Sequence, residues 1–137
     1  MKQFLLILLI GMAMTVQNAV VEFKPPKPSE WDVFVMALIE VESKGDTFAV
    51  GKTNDAGILQ ITPIYVKDVN RILGEQRYCL EDRFDAEKSI EMFNIMQAHY
   101  NKEQDINMAI KLHNPRAGAW YKERILSQIE ILKGNMI

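Results

Sequence analysis

From Ser29 to Ser43 the chain is apolar on nearly every side of a helix, with Glu30 at its start, Asp32, Glu40 and Glu42 the charged residues. A helix with so little polar surface has to be enclosed by other elements, so this stretch is expected to form the centre of the fold. Ser29 followed three positions later by Asp32 supplies a capping start, and Ser43 with Gly45 supplies a stop. At about 100° per residue, Phe34, Val35, Leu38, Ile39 and Glu42 all fall within about 80° of Trp31. Glu42 is therefore a carboxylate on the apolar stripe. Apolar surroundings and the negative end of the helix dipole both disfavour its ionised form, which is the condition a general acid needs near neutral pH. The residues alone leave two readings open: an acid facing a cleft, or a helix-end carboxylate turned out to water.

The 137 residues, 48% hydrophobic and 25% charged, suit one globular domain with a substantial core. With a formal charge of −2 and no basic cluster interleaved with aromatics, a nucleic-acid partner is not expected. Cys79 is the only cysteine, which excludes an internal disulfide and a cysteine-based metal cage. It reads as a small packed side chain. His99 and His113 have no paired ligand spacing around them, and the eight Met residues are scattered like core filling, so neither metal nor cofactor is expected.

Lys2 precedes an apolar run from Phe4 to Met14, shorter than the roughly 20 residues a spanning helix requires, and resembles the start of a secretory signal. Residues 1–19 are expected to be a signal peptide or, failing cleavage, an N-terminal membrane tether. Export to the periplasm or cell envelope follows from that reading. Cleavage after Ala19 would remove only Lys2 among the charged residues, leaving 15 minus 18, or −3. Residues 20–29 include Pro25, Pro26 and Pro28 with Lys24 and Lys27, an extended linker to a domain over residues 30–137.

Within that domain the pattern predicts a mainly α fold. Glycines and Asx residues punctuate Gly45 to Gln60, which suits an irregular or short-stranded loop between the first two helices. Thr62, Pro63 and Gly74 bound a second helix over Pro63 to Leu73. A third is expected over Asp85 to Asn101, with Ile90, Phe93, Ile95, Met96 and Tyr100 on its apolar face. A short fourth runs from about Ile106 to Leu112, before Pro115. The last spans about Ala117 to Lys133, with Trp120, Tyr121, Ile125, Ile129 and Leu132 inward.

Three short stretches bear on chemistry together: Glu42-Ser43; Gly57-Ile58-Leu59-Gln60-Ile61-Thr62-Pro63; and Ala109-Ile110-Lys111-Leu112-His113-Asn114. In this order and spacing, over about Trp31 to Ile125, they resemble the catalytic domain of the soluble lytic transglycosylases, relatives of goose-type lysozyme that cut the glycan strands of peptidoglycan. That family carries a Glu-Ser pair, a Gly-Leu-Met-Gln segment with Ile and Pro soon after, and a Tyr-Asn pair. Glu42-Ser43 match the first element, and Phe48-Ala49-Val50 the stretch after it. Gly57 and Gln60 match the second, with Ile58 in place of Leu and Leu59 in place of Met. Asn114 matches the third, whereas His113 stands where Tyr is expected.

The resemblance implies a lysozyme-like helical domain without a cofactor, with peptidoglycan as partner and Glu42 as acid and then base. The muramoyl C6 hydroxyl would attack C1 and leave a 1,6-anhydro end. It also implies substrate contacts from Ser43, Gly57, Ile58, Gln60, His113 and Asn114. Each has a plainer role available: Ser43 closing the helix, Gln60 tying the loop, Asn114 starting the turn before Pro115. Asp46 and Asp55 lie in the loop, but neither has a motif or register tying it to Glu42. At His113 a Tyr would supply a hydroxyl, whereas His offers a smaller ring that gains charge between about pH 5 and 8; no proton-transfer role is assigned to it. A lysozyme-type hydrolase and a catalytically silent glycan-binding or secretion-associated protein stay open as alternatives. So does association with a cell-wall-spanning assembly.

Overall fold

In the computed structural model, which describes residues 26–136, α1 is Glu30–Ser43 and starts as its sequence dictates. The Asp32 N–H donates to Ser29 Oγ at 3.1 Å, while the Asp32 carboxylate accepts from Ser29 N–H at 2.8 Å. The Ser29 hydroxyl, donating to the Asp32 carboxylate at 2.6 Å, and then the Ser29 N–H hold that carboxyl below its usual range. The helix stops at Lys44 and Gly45, whose φ values of 55° and 77° are left-handed. The expected signal or anchor and most of the linker lie outside the described residues.

The other helices are α2 (Pro63–Leu73), α3 (Ala86–Tyr100), α4 (Ile106–His113) and α5 (Ala119–Asn135), with a 3₁₀ helix over Leu80–Phe84 ahead of α3. Thr62 caps α2 through its hydroxyl, and Asp85 and Asp105 cap α3 and α4 by accepting from Lys88 and Met108 N–H. The chain is mainly helical, as the pattern predicts. Its α1 packs chiefly on α5, and α2 on α3, around Phe34, Leu38, Leu59, Ile61, Phe93 and Ile125. Trp31, Phe34 and Phe93 cluster with ring centroids 5.1 to 6.3 Å apart.

Between α1 and α2 the described residues hold no strand, only isolated antiparallel bridges pairing Ala56 with Val50 and with Ile61. The reason is conformational: Asn54, Gly57 and Gln60 all take positive φ, at 60°, 76° and 48°, and each breaks an extended run. What holds the loop is Arg83. Its buried guanidinium donates to the Asn54 carbonyl at 2.6 Å and the Ile61 carbonyl at 3.2 Å, and its Nε to Leu80.

Three sequence expectations need correcting. Trp120 is 59% exposed, because Tyr121, Ile125 and Ile129 carry the stripe that faces α1, and Trp120 lies one step round from it under the Arg124 guanidinium. Tyr100 is also exposed, its hydroxyl accepting from Arg71 at 2.7 Å. Cys79 is exposed at the start of the 3₁₀ helix, where its thiol donates to Asp82 and the Glu81 and Asp82 carboxylates push its ionisation up.

Candidate active site

A cleft of about 950 Å³ opens where the end of α1, the loop, α2 and the end of α4 meet. Glu42, Gln60, His113 and Asn114 line it, joined by Asp55, Tyr65 and Asp68. Ser43, Gly57 and Ile58 do not. The Ser43 hydroxyl donates to the Ile58 carbonyl at 2.9 Å, which ties the end of α1 to the loop and occupies both residues. Ile58 itself is buried. Gly57 turns its α-carbon to the Arg83 carbonyl, a close approach that leaves no room for a side chain.

Glu42 is half-buried on the cleft wall, its side chain 13% exposed. Two side chains address the same oxygen. The Tyr121 hydroxyl on α5 donates to Oε1, and His113 Nε2 lies 3.5 Å from Oε1. The same nitrogen is 2.9 Å from the Leu59 carbonyl, which can only accept. His113 thus presents Nε2–H between Leu59 and Glu42, and its ring is fixed edge-on against Phe93 at 5.6 Å. No protein donor among the described residues reaches Oε2.

The other cleft carboxylates are engaged elsewhere. Asp55 Oδ1 accepts from the Thr53 N–H and hydroxyl, at 3.1 and 2.7 Å, and Asp68 pairs with Arg71 at 2.6 Å. Gln60 uses its amide hydrogens on the Ala49 and Gly57 carbonyls, at 3.2 and 2.9 Å, leaving its carbonyl oxygen as the group a ligand can use. Gln60 therefore both pins the loop and borders the cleft. No group of three or more His, Cys, Asp or Glu side chains suited to a metal ion occurs among the described residues.

Tyr121, which the sequence pattern places in the core, is buried there and also brings its hydroxyl to Glu42. Its burial, and then the nearby Glu42, raise its ionisation far above the ordinary tyrosine range, so it stays a hydroxyl donor at any working pH. Tyr121→Phe is expected to lower kcat about tenfold with KM little changed, since it removes one hydrogen bond that positions Glu42. Steady-state cleavage of cell-wall glycan measures the split, and a change in KM alone would place Tyr121 outside this role.

Residues 21–123 match the family model described as the transglycosylase SLT domain. No curated protein and no solved structure gives a match.

Proposed function

Since this chain belongs to the transglycosylase SLT domain family, with its lysozyme-like helical fold and peptidoglycan substrate, we propose that it is a lytic transglycosylase in which Glu42 serves as both acid and base. The bond cut is that between N-acetylmuramic acid and N-acetylglucosamine. Glu42 gives its proton to the glycosidic oxygen as the C1–O bond breaks and an oxocarbenium-like centre develops at the muramoyl C1. The resulting carboxylate takes the proton of the muramoyl C6 hydroxyl, O6 bonds to C1, and the 1,6-anhydro ring closes. Glu42 ends protonated, and no water is consumed.

The observation that carries this reading is the setting of Glu42. It faces the cleft with Oε1 held by a tyrosine hydroxyl and neighboured by an imidazole N–H, and with Oε2 left for substrate. Asp55 and Asp68 already have partners of their own, which favours a mechanism that needs one carboxylate over one that needs two. In this reading Gln60 and Asn114 contact the sugar directly, while Ser43, Gly57 and Ile58 hold the loop that presents them. The N-terminal segment would export the domain to the periplasm or cell envelope, cleaved or retained as a tether.

The masses of released muropeptides test the outcome. Digestion of purified peptidoglycan is expected to give anhydro ends, each lighter than the hydrolytic product by one water. Reducing ends would identify a hydrolase of the same bond, and intact strands a binding protein.

A further inference from the structure

Tyr100, the last residue of α3, lines two hollows at once. One is the cleft that holds Glu42. The other, of about 510 Å³, lies over the connection from α3 to α4 and is bordered also by His99, Lys102, Glu103, Asp105 and Met108. The two meet at the Tyr100 ring. Its place on the apolar face of α3 would have sent that ring into the core, yet Tyr100 is 40% exposed, and Met108 in the second hollow is 47% exposed. Two large apolar side chains thus face solvent among the charged groups of Lys102, Glu103 and Asp105.

The exposed ring is held in place. Its hydroxyl accepts from Arg71 at 2.7 Å, and Arg71 is oriented in turn by Asp68, one of whose oxygens accepts from Nε and Nη2 at 2.8 and 2.6 Å. The His99 ring stands at 90° to it with 4.5 Å between centroids. The connection beyond it is also set, because the buried Asn101 amide donates to the Asp105 carbonyl at 2.9 Å and accepts from the Asp105 N–H at 3.0 Å. A ligand meeting this surface has little side-chain freedom left to quench. A pyranose ring carries C–H groups on its faces, which pack on the negative face of an aromatic ring, while its hydroxyls turn outward to water and charged side chains. Tyr100 and its charged surroundings match that division.

We propose that the glycan site extends out of the cleft across Tyr100 into the second hollow, where Tyr100 and Met108 carry a further sugar ring of the same strand. The occupant follows from continuity: a strand lying along Glu42 and leaving the cleft at Tyr100 enters the second hollow directly. The identity of that strand rests on the glycan-cleaving reading above. The extension makes binding depend on strand length, since a strand that passes Tyr100 gains a contact that a short fragment cannot reach.

Titrating the Glu42→Gln chain with N-acetylglucosamine oligomers from two to eight sugars measures binding apart from turnover. Affinity is expected to rise with length, and adding Tyr100→Ala should remove about tenfold from the longest oligomers while the shortest bind as before. Tyr100→Phe gives up the Arg71 bond but keeps the ring, and should cost the longest oligomers less than about threefold. Tyr100→Trp, with a larger ring, should hold or raise their affinity. Equal losses in the Ala and Phe variants would give the effect to the hydroxyl and overturn the stacking role. A loss of the same size at every length would place Tyr100 within the cleft alone and overturn the extension, as would wild-type affinity that stays level from the shortest oligomer to the longest. A wild-type chain that cleaves no peptidoglycan, yet shows the length-dependent Tyr100 effect, keeps the extended site and loses the catalytic reading. Cleavage with binding blind to Tyr100 does the reverse.

Discussion

Glu42→Gln should abolish strand cleavage, by roughly a thousandfold or more, while helical content and the thermal midpoint stay close to wild type. The two effects separate because the substitution is nearly isosteric. A glutamine carbonyl still accepts from the Tyr121 hydroxyl, so the contact between α5 and the end of α1 survives. What disappears, in the proposed mechanism, is the transferable proton and the base that returns to collect one. Muropeptide release and circular dichroism on the same preparation read both quantities. Residual cleavage above a few per cent would transfer the acid role to another cleft residue, with Asp55 and Asp68 the carboxylates on hand.

The largest structural effect belongs to Gly57→Ala. At Gly57 φ is +76°, and an added Cβ would sit 1.7 Å from the Arg83 carbonyl oxygen, an overlap that only backbone movement relieves. That carbonyl is itself fixed, accepting from the buried Ser89 hydroxyl at 2.9 Å. Strain and displacement together should cost about 3 to 4 kcal/mol, lowering the thermal midpoint by roughly 10 °C or more. Activity should fall beyond what instability explains, since Gln60 and the Ile58 carbonyl that holds Ser43 ride on the same loop. Gly45→Ala is the matching control: φ there is +77°, but nothing lies within 4 Å of the new Cβ, so only about 1 kcal/mol of backbone strain is expected. Equal shifts in the two variants, read by thermal unfolding, would refute the packing argument.

Where local chemistry decides structure, the sequence was a sufficient guide. The limits of α2 follow from Thr62, Pro63 and Gly74, and α1 starts at the Ser29 and Asp32 box. Glu42 stood out because a charge interrupted a periodic apolar face. Features set by residues far apart in the chain were harder to see. Arg83 reads as one more surface cation until the Asn54 and Ile61 carbonyls close around it. The 3₁₀ helix over Leu80–Phe84 is too short to show a periodicity. Tyr121 left a faint trace: a hydroxyl on the stripe shared with Ile125 and Ile129 needs a polar partner, and Glu42 offers one on the opposing helix.

The hydrogen bond between Tyr121 and Glu42 joins positions 79 residues apart, and that separation orders events in time. A ribosome delivers Glu42 early and Tyr121 late. Until α5 has emerged and docked on α1, Glu42 lacks the Tyr121 hydroxyl, so that end of the cleft wall is the last part of it to be built.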